Sequence, residues 1–291
     1  MIRIAFFFLA LLSVRTGIAQ QKPTKPPGAP RNFVLGVVEE LRSVELNETR
    51  TLNIYLPEGY NPRDTVTYPV VYLLDGSADE DFIHIAGLYQ YYSFPWIGRV
   101  PKSIVVGIAT VDRRRDFTYP TRIEKDRARY PTTGGSARFI RFIENELQPY
   151  IQGHYRAGSG RTLIGQSLGG LLATEILFTK PALFTHYIIV SPSLWWDNGS
   201  LLGREPELLR EDFAKPLGIY IGVGKEGLVP GDFPRVMEVD ANLLADKIRG
   251  SKSKSVQVHF DYLPDEDHAT IMHPAVANAL RLLHPCNKKQ P

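Results

Sequence analysis

The feature that most constrains this chain is a junction in its middle. The run Thr162-Leu163-Ile164 passes without a spacer into Gly165-Gln166-Ser167-Leu168-Gly169-Gly170, and the apolar stretch Leu168 to Phe178 follows at once. The short run reads as a buried strand and the longer stretch as a helix, so a single sharp turn must join them. At such a turn the serine backbone is strained, and side chains beside it would strike the strand and the helix. Gly165 and Gly169 are therefore expected to leave Ser167 exposed at the tip. The helix aims its free N–H groups and the positive end of its dipole at the same spot, where a developing negative charge is stabilised. G-x-S-x-G alone recurs by chance. In this context it marks a nucleophile, the alternative being a purely structural turn.

The rest of the chain alternates short β-branched or aromatic runs with longer helical patterns, the signature of a mostly parallel sheet with helices on both faces. Buried strands are predicted at Val70–Leu74, Ile104–Ile108, Thr162–Ile164, Tyr187–Val190, Gly218–Val223 and Val256–Tyr262, and helices at Ala137–Gln152, Leu168–Phe178, Phe233–Arg249 and Thr270–Leu283. Val34–Val44 and Thr51–Leu56 read as an antiparallel pair that enters the sheet, closed by Pro57-Glu58-Gly59. Thr110 to Gly135, rich in Arg, Tyr, Pro and Thr, is the least regular stretch and suits a loop built over a site. In open sheets of this kind ligands bind beyond the carboxyl ends of the strands, so the residues just after each strand carry the chemistry.

A serine hydroxyl needs a base, and of seven histidines only His268 and His273 follow the final strand without lying near the chain end. His268 sits in the polar loop Pro264-Asp265-Glu266-Asp267-His268 and is the expected general base, whereas His273 belongs to the next helix. Their five-residue spacing is poor for a metal site on one helical face. The acid is expected in the loop after Gly218–Val223, where Glu226 is the first choice; Asp232, Asp240 and a Ser-His dyad with no acid stay open. An oxyanion hole needs two backbone donors, for which Leu168 and, in the loop Asp75-Gly76-Ser77-Ala78, Ser77 or the residue on either side of it are the candidates, with Gly76 permitting the turn and Asp75 capping the loop. Trp195 and Trp196 are placed to wall a substrate pocket, although core packing accounts for one of them. Arg113 and Arg115, in the cluster Arg113-Arg114-Arg115-Asp116, suit an anionic substrate or else an ion-paired loop.

A length of 291 residues fits one α/β domain, and a net charge of +3 gives no reason to propose nucleic acid as a partner. At the N-terminus Arg3 precedes the apolar stretch Ile4 to Val14 and then Gly17-Ile18-Ala19, which reads as a signal peptide over residues 1–19 and implies export to a periplasm or the medium. That stretch is well short of the roughly 20 residues a span needs, so no membrane anchor is expected after cleavage. Residues 20–30, with four prolines, read as a tether, residues 31–285 as the domain and 286–291 as a tail. The sole cysteine, Cys286, has no partner for an internal disulfide and no activating context.

With these pieces assembled the sequence resembles the putative-esterase family of α/β-hydrolases, which includes siderophore trilactone esterases, feruloyl esterases, S-formylglutathione hydrolase and mycolyltransferases. The resemblance rests on Tyr72-Leu73-Leu74-Asp75-Gly76, Arg113 to Asp116, Gly165 to Gly170, Ser191-Pro192-Ser193-Leu194-Trp195-Trp196 and the Asp267-His268 loop, and it looks strongest toward the siderophore branch. It implies the α/β-hydrolase fold and acyl transfer from a small-molecule ester to water through Ser167 and His268, without metal or organic cofactor. Its acid position is poorly matched here, and some members of that branch work with a Ser-His dyad. Two rivals remain: an acyltransferase that replaces water with another hydroxyl, and a catalytically silent carbohydrate-associated binding module.

Overall fold

A computed structural model describes residues 32–229 and 233–285, and the fold is that of the chain from Leu35 onward. The expected signal peptide, the tether, Asp232, Cys286 and the tail lie outside the described residues.

Eight strands form one sheet: β1 (Val37–Ser43), β2 (Glu48–Tyr55), β3 (Tyr68–Leu73), β4 (Ile104–Ile108), β5 (Ala157–Gln166), β6 (His186–Val190), β7 (Leu217–Gly224) and β8 (Val256–Leu263). Their spatial order is β1-β2-β4-β3-β5-β6-β7-β8. β2 runs antiparallel to β1 and to β4, and every other pairing is parallel. This is the α/β-hydrolase arrangement, with its antiparallel strands at the N-terminus. The helices are α1 (Phe82–Tyr92), α2 (Arg113–Phe117), α3 (Glu124–Arg129), α4 (Ser136–Phe142), α5 (Gln148–His154), α6 (Leu168–Thr179), α7 (Trp196–Gly199), α8 (Met237–Arg249) and α9 (Met272–Leu283).

Central strands are buried on both faces, which is why they read as continuous apolar runs. Alternate residues then go to opposite sides: Val70, Tyr72, Leu163 and Ile219 join a core with residues of α4, α6 and α8, whereas Val71, Leu73, Ile164 and Tyr220 join one with residues of α1 and α9. The expectation of helices on both faces therefore matches the molecule.

Two departures have local causes. The helix predicted over Ala137–Gln152 is α4 and α5 joined by a π-helical turn, Ile143–Leu147, just ahead of Pro149. Proline lacks an N–H and crowds the carbonyl four residues back, and a wider turn accommodates both. Helix α1 is not among the predicted elements. It is built from aromatic and β-branched residues that favour strands, and it is held by burying Phe82, Ile85, Ala86 and Tyr89 at helical spacing.

Candidate active site

Ser167 lies between β5 and α6 with φ 58° and ψ −118°, a conformation that side-chain-bearing residues avoid. The strain is fixed from both sides. The Ser167 N–H donates to Val190 O at 3.0 Å, and its carbonyl accepts from Leu171 N at 2.9 Å and from Ser193 N at 3.0 Å. A Cβ on Gly165 would stand 2.4 Å from Gly169 O, and one on Gly170 would stand 3.0 Å from both Val190 O and Pro192 Cα. The tight positions are thus Gly165 and Gly170. Gly169, which the sequence pattern singled out, has ordinary clearance, with Leu74 Cβ at 3.4 Å.

His268 stands in the loop between β8 and α9. That loop is shaped by Asp267, whose carboxylate accepts from Ala269 N and Thr270 N at 2.8 and 3.0 Å, hydrogen bonds that hold its pKa below the usual value. Gln166, the residue before the serine, donates to His268 O at 2.5 Å and so ties the histidine loop to the elbow. Glu226, just beyond β7, meets His268 Nδ1 at 2.5 Å. Its side chain is 4% exposed while that of His268 is 48% exposed, so the carboxylate backs an imidazole that faces solvent. Burial pushes the Glu226 carboxyl up, but hydrogen bonds from His268, Ser191 and the Gly224 N–H outweigh it and hold the group below the ordinary carboxylate range. Lys225 N donates to Glu266 O at 2.7 Å, docking the Glu226 loop on the His268 loop.

Of the other acid candidates, Asp240 is a buried residue of α8 taken by Arg235 at 2.7 and 2.8 Å. It is not at the site. His273 lies on α9, stacked on His84 at 4.1 Å and bonded to Asp81 at 3.1 Å.

Leu168, first residue of α6, has no intrahelical acceptor for its N–H. In the loop after β3, Gly76 N is taken by Ile108 O, while Ser77 N reaches only Glu80 Oε2, at 3.4 Å. The positive φ of that loop, 51°, falls on Asp75; Gly76 serves a close approach, since a Cβ there would stand 2.4 Å from Gly107 Cα. Asp75 does more than cap its loop. Its carboxylate accepts from Thr110 Oγ1 and from two nitrogens of Arg113, at 2.9, 3.1 and 2.9 Å, and so fastens the irregular Thr110–Gly135 segment to the sheet.

Two clefts meet at Ser167 and Arg113. One, of about 540 Å³, is walled by Arg114, Tyr130, Leu168, Ser193, Trp195 and Trp196; the other, of about 360 Å³, by Asp75, Glu80, Asp81, Gln166 and His268. Arg115, expected in the pocket, does not line either: its guanidinium is bound by Asp116 and Glu48 at 2.7 Å each. Arg114 takes that place and stacks on Tyr130 at 4.3 Å. Trp195 is half-buried, whereas Trp196 is buried with its indole N–H on Tyr119 O at 2.8 Å, so Trp196 serves the core as well as the wall.

The model of the family described as "Putative esterase" matches residues 43–261, which include Ser167 and Glu226. The chain belongs to this family. It is 30% identical over 273 residues to the ferri-bacillibactin esterase BesA of Bacillus subtilis, covering 89% of this chain and 93% of that one. Among solved structures it is similar to an IroE-like serine hydrolase from Shewanella oneidensis, with a TM-score of 0.75, 35% identity and coverage of 86% and 80%. The BES protein from Bacillus cereus is similar too, with a TM-score of 0.74, 27% identity and coverage of 90% and 100%. This putative-esterase chain thus has relatives on the siderophore-esterase branch, and esterase activity is the function those relatives support.

Proposed function

We propose that the chain is a serine carboxylic ester hydrolase working through an acyl-enzyme. The observation that carries this reading is the contact of Glu226 with His268 Nδ1 at 2.5 Å in a molecule where His268 shares a cleft with the strained Ser167. Nδ1–H bonded to a carboxylate leaves Nε2 as the basic nitrogen. In the proposed cycle Ser167 Oγ attacks the ester carbonyl carbon as His268 Nε2 takes its proton. The N–H of Leu168 receives the oxyanion together with a second backbone donor from the loop after β3, and His268 returns the proton to the departing alcohol oxygen. Water then attacks the acyl-enzyme by the same route, releasing the acid and Ser167.

The leaving alcohol must lie on the His268 side, which assigns it to the smaller cleft and the acyl group to the cleft of Arg113, Arg114, Tyr130 and Trp195. The Arg114 guanidinium stacked on Tyr130, with Trp195 beside it, suits an anionic aromatic acyl group, and a ferric catecholate trilactone is the leading substrate class, in keeping with the named activity of the Bacillus relative. A signal peptide over residues 1–19 would place the reaction in a periplasm or the medium.

The test compares product release from a ferric catecholate trilactone and from short aryl esters, for wild type and Ser167→Ala. Serine-dependent cleavage of the trilactone, lost by several orders of magnitude in the variant, is expected. Purified Ser167→Ala that kept most of its hydrolysis would overturn the assignment. Export is checked by the N-terminus of the mature protein, expected to begin just after Ala19.

A further inference from the structure

The order of the parallel strands has a geometric consequence for the site. β5 ends at the nucleophile and β7 ends at the acid, and β6 lies between them, paired to both. The turn leaving β6 must therefore stand between Ser167 and Glu226. That turn is Ser191-Pro192-Ser193, whose serines are 0% and 1% exposed.

Each serine is bound to one end of the relay. Ser191 Oγ donates to Glu226 Oε1, the oxygen that does not face His268, and the Gly224 N–H donates to the same oxygen at 3.2 Å. Ser193 is tied to the nucleophile twice: its N–H donates to Ser167 O at 3.0 Å, and the two hydroxyl oxygens are 3.2 Å apart. Between them Pro192 packs closely on α6, where a Cβ at position 170 would stand 3.0 Å from Pro192 Cα. Ser191 itself has φ 42°, unusual for a residue with a side chain, and its N–H is held by Gly222 O at 2.7 Å. A strained residue persists where its surroundings over-determine it, and here they do so on behalf of the acid.

We propose that the Ser191-Pro192-Ser193 turn is the positioning element of the relay, with Ser191 acting through Glu226 and Ser193 through Ser167. Ser191 occupies one carboxylate oxygen so that the other can face only His268. Ser193 holds the nucleophile's carbonyl and hydroxyl in register with the elbow. The inference rests on the proposed serine-hydrolase reading of the site.

The experiment is a double-mutant cycle on the full chain, with kcat normalised to sites titrated by a fluorophosphonate, KM, and melting temperature measured together. Ser191→Ala is expected to lower kcat about 10-fold at unchanged KM, and to lower it no further when added to Glu226→Gln. Ser191→Cys, with a weaker donor, should fall between, and it carries the cycle if the alanine variant does not fold. Ser193→Ala should slow labelling of Ser167 by the fluorophosphonate whether or not Glu226→Gln is also present. Ser103→Ala, a buried serine bonded to Pro101 O, should change stability alone. Equal losses from Ser191→Ala with and without Glu226, or wild-type kcat and labelling in the serine variants, would overturn the inference while leaving the reaction intact. A wild-type protein that neither labels at Ser167 nor cleaves an ester would overturn the reading beneath it.

Discussion

Two buried glutamates show how neighbours decide what a carboxyl group does. Glu226 is surrounded by donors that keep it ionised, so its proposed task is to hold the His268 tautomer and stabilise the imidazolium formed when Ser167 attacks. Glu226→Gln should lower kcat by about 10²- to 10⁴-fold with little change in KM, as read by steady-state kinetics. Because its pKa is depressed in the fold, Glu226 contributes stability above the ordinary carboxylate range that is lost as pH falls through the folded value. The melting-temperature gap between wild type and Glu226→Gln should therefore close on acidification. Glu175, on α6, is the opposite case. Burial raises its pKa against the opposing pull of Ser136 and Arg204, and Oε2 has no hydrogen-bond partner. A raised folded value gives stability below the unfolded pKa that is lost as pH rises through the folded one. Glu175→Gln, which cannot ionise, should melt a few degrees higher than wild type near neutrality and lose that advantage in acid.

At the scale of the element, the elbow is decided by contacts between backbones. Gly165 faces the α6 backbone at distances that admit no Cβ, so Gly165→Ala should cost about 1–3 kcal/mol or more and abolish fluorophosphonate labelling of Ser167. Gly169→Ala, with ordinary clearance, should stay within about 1 kcal/mol of wild type and keep its labelling. Denaturant unfolding and labelling on the same samples separate the two. The contrast also marks what the motif says in sequence and what it does not. A strand, six residues and a helix are enough to locate the turn, and the crowding of Gly165 comes from the motif's own Gly169 and Gly170 backbone, but the room left at Gly169 and Gly170 depends on where Leu74, Val190 and Pro192 arrive from other parts of the chain.

Over the whole molecule, the wall of the larger cleft is anchored to the antiparallel entrance of the sheet. Arg50 on β2, 1% exposed, pairs with Asp116 on α2, 2% exposed, and Glu48 and Arg115 complete the cluster. Removing one member of a buried pair strands the other's charge, so Asp116→Ala should destabilise the protein by about 3–5 kcal/mol in denaturant unfolding. It should also disturb the cleft, since Arg113 and Arg114 share the short helix with Asp116. Sequence by itself determined what local order can encode: the strand–turn–helix about Ser167, the alternation that makes a parallel sheet, and the loop position of His268 after the last strand. Those readings depend on residues a few positions apart, whose spacing sets which face or turn they occupy. Tertiary structure alone decided that Glu226 rather than Asp240 reaches His268, that Arg114 rather than Arg115 turns to the cleft, and that Ser191 and Ser193 stand between Glu226 and Ser167. Each depends on which strands lie side by side and on which competing charge is nearer, and such proximity arises only when distant segments pack into one core.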